Sequence, residues 1–450
     1  MNKAASNPSI FSRYVRYTSL NILSMIGVSC YILADTFFIS QGVGSAGLTA
    51  LNLAIPAYSL MHGAGLMIGM GGATRYALSM AAGDEKRGNA AFTAAVCFAG
   101  GLALLFLLCG IFFVTPIACL LGADGETLGM TTAYLRVLLL FAPMFIFNNV
   151  IGCFVRNDGR PNLAMAAMLI GSFSNIFLDY LLVFPMGLGI FGAALATGLS
   201  PVIGICILST HFLCRRSHFS LQKRPPHLRE VLDLCRLGGS TFVSELSSGV
   251  VILVFNMVIL GLCGNIGVAA YGVIANIYIV AISVFTGIAQ GIQPLVSESC
   301  GHSHSKEMRR IFRYAVVTML LFAVGFYLLS FALTDPLVTV FNRDGGEPLA
   351  RLAGRGLRLY FTAFGFVGFN ILTAAYLSAA DRAGSGFTIS LLRGFIVILP
   401  SVLLLSRLFG MDGVWLSLTA AEGITAIAAG GLYLRSNRRP SAFAMEEGEA

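Results

Sequence analysis

From residue 15 to residue 434 the sequence returns at short intervals to predominantly apolar runs. Runs of about twenty residues match the hydrocarbon core of a bilayer. In that medium only a helix or a closed barrel satisfies its own backbone polar groups. Twelve runs can be laid out, roughly 15–39, 46–72, 89–115, 131–153, 162–183, 190–212, 238–262, 268–297, 311–334, 356–379, 387–408 and 413–434. Short turns such as "QGVGSAG", "NDGRP" and "FPMGLG" separate them, their Gly, Pro and Asn residues supplying the backbone angles of a helix reversal. The predicted fold is an all-α integral membrane protein of twelve transmembrane helices. Its charged fraction, 11%, agrees, since soluble domains carry about 25%. The N-terminal segment runs into the first apolar stretch without a small-residue cleavage pattern, and reads as a retained helix. Ten cysteines stand singly with no C-x-x-C pair, and read as small core residues rather than disulfides or zinc ligands.

A net charge of +8 raises the question of nucleic acid, and the placement of the charges answers it. With twelve spans both termini share a side, and alternate loops divide the 29 Lys and Arg residues 23 to 6. By the positive-inside rule the richer side, with both termini, is cytoplasmic, so the basic surplus has a topological origin. The expected location is the cell (inner) membrane, multi-pass, with the lipid bilayer as a partner and nucleic acid not one. No G-x-x-x-x-G-K-[ST] occurs, so ATP is not expected as a partner or energy source.

The widest basic-side connection, "CRRSHFSLQKRPPHLREVLDLCR", lies near the midpoint and suggests a duplication. At an offset near 220, Gly44 falls on Gly264 and Gly47 on Gly267; at 221, Gly192 falls on Gly413. The expected organisation is an N-lobe over 1–212, a cytoplasmic linker over 213–237, a C-lobe over 238–434 and a cytoplasmic tail over 435–450. Six spans per half insert in one orientation, so the lobes are related by an axis along the membrane normal and enclose a central cleft.

Few ionisable residues fall inside the runs: Asp35, His62, Asp179, Glu245 and Glu422, with Arg393 nearer a cytoplasmic end. Intramembrane ionisable groups are costly and mark ion or substrate sites. Asp35 and Asp179 each lie about four residues before the outer end of their run, roughly 6 Å below the boundary. Asn175 and Asp179, four apart, share a helix face. Tyr134 and Thr197 approach the same level, and the five groups could form a polar nest. A carboxyl group buried beside another can hold a proton near neutral pH, and the same oxygens could coordinate Na⁺. The competing reading is a helix cap or a pair with Arg136. His62 fits a proton relay or a structural hydrogen bond, while Glu245 and Glu422 could attract a cationic substrate or serve secondary coupling.

At these residues the chain resembles the multidrug and toxic compound extrusion (MATE) family. The similarity is carried by "ADTFFISQGVGSAGLTALNLAIP", "GMGGATRYALSMAAGD", "RNDGRPNLAM", "NIFLDYLLVFPMGLGIFGAALATG" and "AQGIQPLVSESCG". The resemblance implies two six-helix lobes and an ion-coupled exporter of small organic compounds, often cationic, with H⁺ or Na⁺ moving inward and no cofactor. It implies a cation site in the N-lobe at Asp35, Asn175 and Asp179, with Tyr134 and Thr197. Members with coupling acids in the C-lobe place them on the seventh and tenth helices. Here Glu245 matches the first, and the tenth offers only Asn370. A flippase of a lipid-linked precursor, a major-facilitator-type transporter and a membrane-embedded transferase are the alternatives. They would want a basic N-lobe cavity, another motif set and a catalytic cluster at a membrane boundary, respectively.

Overall fold

In the computed structural model, residues 9–436 are described, apart from 126, 335 and 337–346. Most of the expected tail, from residue 437 on, lies outside the described residues, as do the first eight residues of the expected N-lobe and the basic residues Lys3, Arg343, Arg438 and Arg439. Among the described residues, six membrane-crossing helices make up the first half: α1 (Ile10–Gly42), α2 (Ser45–Ala81), α3 (Glu85–Phe112), α4 (Leu128–Leu140 and Ala142–Asn157, bent by 45°), α5 (Pro161–Val183) and α6 (Gly189–Leu213), with a short helix Val114–Leu120 between α3 and α4. The second half holds α7 (Leu228–Gly264), α8 (Ile266–Gly301), α9 (Ser305–Ala332) and α10 (Glu347–Ala379). The 54-residue helical stretch Ala383–Ser436 breaks at Gly410, whose φ of 59° and ψ of −134° divide it into α11 (residues 383–410) and α12 (residues 411–436). Twelve membrane segments result among the described residues.

The helices outrun their apolar windows because polar turns continue the backbone ladder beyond the lipid. α7 begins at Leu228, inside the expected linker, where Glu230 accepts from the backbone N–H of His227 at 2.9 Å and opens the helix with a capping box. The rest of the linker docks on the first half. Ser220 N–H donates to Asn89 Oδ1 at 2.7 Å, Gln222 N–H donates to Thr93 Oγ1 at 2.9 Å, and His218 N–H donates to the buried Asp158 at 3.1 Å.

The duplication is written in the backbone. Left-handed turn residues recur in register: Gly44 (φ 90°) with Gly264 (63°), Gly83 (84°) with Ser303 (58°), Gly159 (77°) with Asp381 (58°), and Gly189 (55°) with Gly410 (59°). The same reversals are built twice, with Ser and Asp accepting in the second copy a conformation that glycine adopts freely. Each half has its own apolar core, one over residues 39–234 and one over 255–429. Tyr14 and Tyr17, at the start of α1, pack into the second.

Among the described residues, the polar contacts joining the halves gather toward the end that carries the basic loops. Arg13 pairs with Glu298, and Arg75 clasps Asp233 at 2.5 and 2.8 Å and Asp381 at 3.4 Å. Gln293 bonds Thr74 and Asn157 at 2.9 Å each, and Ser29 meets Ser283 at 2.5 Å at mid-depth. Backbones touch there: a Cβ on Gly238 of α7 would overlap the carbonyl oxygen of Met67, and one on Gly71 of α2 that of Leu234. Gly238→Ala is therefore expected to part α2 from α7. It should cost about 1–3 kcal/mol, read as a lower thermal midpoint and as faster cysteine labelling at positions along this seam.

Candidate functional site

Asp35 and Asp179 face each other across the first half. α1 runs to Gly42 and α5 to Val183, so Asp35 sits further from its helix end than the apolar window suggests. The two carboxyl groups nevertheless lie within electrostatic reach of one another. Asp179 and Asn175 are fully buried, and Asp35, Tyr134 and Thr197 nearly so. With its amide oriented to suit its neighbours, Asn175 donates to Asp179 Oδ2 at 3.2 Å and accepts from the Thr197 backbone N–H at 3.2 Å. Tyr134 lies beside Thr197 and within reach of both aspartates. All five residues expected to form the nest are brought together.

The charge balance of the nest is one-sided. Among the described residues, Asp35 Oδ1, Asp179 Oδ1 and Thr197 Oγ1 are buried without a hydrogen-bond partner. Arg136, the competing partner for the aspartates, is exposed and forms no ion pair with either. An orphaned buried polar atom costs about 1–3 kcal/mol, and an ionised one more. Carboxylate, amide and hydroxyl oxygens are hard donors, suited to a proton or a small hard cation rather than to a thiolate-seeking metal. No group of three or more His, Cys, Asp and Glu placed to hold a metal ion occurs among the described residues.

Toward the basic end from this nest lies a cavity of about 120 Å³, walled mainly by α1, α2, α4, α5 and α6. His62 lines it, stacked on Tyr58 with ring centroids 5.3 Å apart and its Nδ1 3.1 Å from Asn149 Nδ2. Tyr58 in turn meets Tyr31 at 3.2 Å, hydroxyl to hydroxyl. Glu245 belongs to α7 in sequence, yet its side chain packs beside Gly63 of α2 and lines this first-half cavity. The linear pattern gave no sign of that, because it shows a residue's helix but not the direction its face turns.

Glu422 and Asn370 are elsewhere. Asn370 Nδ2 donates to Glu422 Oε2 at 2.6 Å and to its backbone carbonyl at 2.9 Å, while Arg393 donates to Oε1 from Nη2 at 2.8 Å and from Nε at 3.1 Å. Arg393 stands inside α11, on a π turn spanning Leu392–Ile396. Glu422 is thus a neutralised member of a buried ion pair.

Sequence reasoning gave no role to two cationic positions, Arg393, which it placed near a cytoplasmic end of its run, and Arg156, which it counted with a loop. The guanidinium of Arg156 is 4% exposed and lines the same cavity as Glu245. The spacing of Asn148, Asn149, Gly152, Cys153 and Arg156, a polar stripe on one face of α4, was the available signal.

A family model described as MatE matches residues 21–181 and 241–403. The chain belongs to the MATE family. Members of this family are membrane transporters, not enzymes. Among curated relatives, a multidrug export protein, MepA, of Staphylococcus saprophyticus is 29% identical over 426 residues, covering 94% of this chain and 93% of the relative. MepA of Staphylococcus aureus is 28% identical over 403 residues, with 89% and 88% covered. A solved structure described as the outward-facing conformation of a multidrug resistance MATE family transporter superposes with a TM-score of 0.89 at 21% identity, covering 96% of this chain and 97% of that one. The architecture is therefore that of a MATE transporter, a multi-pass membrane protein of two six-helix lobes.

Proposed function

We propose that this MATE transporter is a secondary multidrug exporter, moving amphipathic cationic compounds out of the cell in exchange for inward H⁺ or Na⁺. The observation that carries the reading is the Asp35 and Asp179 pair, buried with unpartnered oxygens and, among the described residues, no cationic side chain bound to it. The relatives named as multidrug export proteins support it. In this reading Asp35, Asp179, Asn175, Tyr134 and Thr197 hold the ion, and the polar cavity toward the basic end takes the compound.

The lobes, 1–212 and 238–434, rock about the 213–237 connection, and the basic end, with both termini, is cytoplasmic by the positive-inside rule. Ion and compound then bind alternately, because a ligand shifts a conformational equilibrium only by its differential affinity for the two states. The contacts of Arg13, Arg75 and Gln293 would hold the cytoplasmic side shut in one state and release in the other.

The test is ethidium transport by the full chain in proteoliposomes. Under an imposed pH gradient or an imposed Na⁺ gradient, ethidium should move against its own gradient, and the effective gradient names the ion. Ethidium movement that ignores both gradients would end the ion-coupled reading.

A further inference from the structure

Four of the six basic residues on the poorer side of the charge tally, Arg343, Arg351, Arg355 and Arg358, fall in one stretch, between the end of α9 and the first turns of α10. Positive charge gathered at that end runs against the bias that sets the topology of the whole chain. The three described ones recur at i, i+4 and i+7 on one exposed face of α10. The opposite face fixes this stretch to the second half. Ala353, Leu357 and Tyr360 are buried there, and a Cβ on Gly356 would crowd Ile274 and Trp415. The arginines thus stand outward on a rigid support.

Arg351, Arg355 and Arg358 line a cavity of about 570 Å³ with Glu347, Gly354 and Thr334, the last just past α9. That volume lies within the roughly 300–1,000 Å³ of ordinary ligand pockets. Glu347 accepts from Arg351 at 2.9 Å and Asp412 from Arg355 at 2.5 Å. Both arginines stay exposed in these pairs, and exposed pairs are worth so little that they exchange for another anion. Arg358 has no acid among the described residues, and its guanidinium lies over the Phe331 ring, 5.2 Å from the centroid.

Phe331 leads from the charges to the lipid. With Leu321, Val324 and Leu328 it forms a stripe on α9, each residue more than half exposed. The stripe is about 15 Å long at the rise of an α-helix, half of the roughly 30 Å hydrocarbon core and so one leaflet. An isolated arginine near a helix end snorkels to water and needs no ligand. Three that wall one cavity beside a leaflet-long apolar stripe offer more. A free anion would use the arginines alone, whereas a diacyl lipid with an anionic headgroup uses both features.

We propose that this end of the second half binds an anionic phospholipid, its phosphate at Arg358 with Arg355 and Arg351 and its acyl chains along Leu321, Val324, Leu328 and Phe331. The site is separate from the aspartate nest and from the cavity beside it, and it does not depend on the export reading.

A reporter placed in the stripe tests it. In the full chain carrying Phe331→Trp the new indole faces lipid, while Trp415, the natural tryptophan, is fully buried and adds a background common to all lipids. The protein is reconstituted in phosphatidylcholine with increasing dibrominated phosphatidylglycerol, or dibrominated phosphatidylcholine of the same chains, and quenching is followed. Phosphatidylglycerol should quench at about fivefold lower mole fraction, the effect of one cationic side chain at an anionic surface. Adding Arg358→Gln should bring the two lipids within about twofold, and adding Arg351→Gln and Arg355→Gln as well should make them equal, with quenching by phosphatidylcholine unchanged. The substituted arginines are exposed, so the variants should keep the parental thermal midpoint. If the triple variant does not reconstitute, the Arg358→Gln value decides alone. Equal quenching by both lipids in the Phe331→Trp protein overturns the proposal, and so does a preference that survives loss of the arginines. A preference abolished by inorganic phosphate, but not by sodium chloride of the same ionic strength, makes this a site for the free anion and overturns the lipid assignment.

Discussion

Asp35→Asn and Asp179→Asn are each expected to reduce energised export to background, a loss of about a hundredfold or more, while the protein reaches the membrane in normal amount. Asn keeps the shape and hydrogen-bonding reach of Asp but removes its charge and its exchangeable proton. The two carboxyl groups lie within electrostatic reach of one another, so they act as a unit. The double variant should then lose no more than either single one, since the effects of residues that act together are not additive. A carrier without a differential ion site cannot be driven between its states, because a ligand of equal affinity for both shifts nothing. Thermal midpoints separate this from damage. The unpartnered Oδ1 atoms of Asp35 and Asp179 are a cost in the folded state, so neither Asn variant should melt below the wild type. Export assays normalised to membrane abundance read the function. A double variant that still exports at the wild-type rate would remove both aspartates from coupling.

The spans, the duplication and the aspartate nest were legible because each has a local signature. A run of apolar residues sets a helix, a Gly at matching offsets sets a reversal, and an acid within such a run is a costly exception. Asn175 and Asp179 could be placed on one face from their spacing alone. What the linear pattern withheld depends on which way helix faces turn. Glu245 crosses from α7 into the first-half cavity through its packing at Gly63. Arg393 and Glu422 are 29 residues apart, and nothing local joins them. The "QGIQPLVS" stretch marks the family, but that Gln290 and Gln293 bind Arg156, Asn157 and Thr74 across the seam required the assembled halves. Helix ends also moved outward, since polar turns such as the one opened by Glu230 extend a helix past the lipid that shaped the apolar window.

The buried pair of Arg393 and Glu422 should behave oppositely to the aspartates, as a matter of stability rather than coupling. Arg393→Met leaves Glu422 with only Asn370 and no cation, in a pocket where its side chain is 4% exposed. Breaking a buried ion pair from one side costs about 3–5 kcal/mol, while replacing both partners by apolar groups of similar size is often neutral. The thermal midpoint of the detergent-solubilised Arg393→Met variant should therefore fall by about 3–5 °C. Glu422→Gln should fall too, by less, because Gln still accepts from Asn370. The double variant Arg393→Met with Glu422→Met should recover most of the loss, and the mismatch between double and single changes measures the coupling directly. At a temperature where it remains folded, the double variant should export ethidium near the wild-type rate, since Glu422 is already neutralised by Arg393 and has no charge to lend to an ion or substrate. The contrary result, a Glu422→Gln protein that melts like the wild type yet no longer exports, would move an ion-coupling role into the second half and make the π turn that carries Arg393 part of the moving machinery rather than its frame.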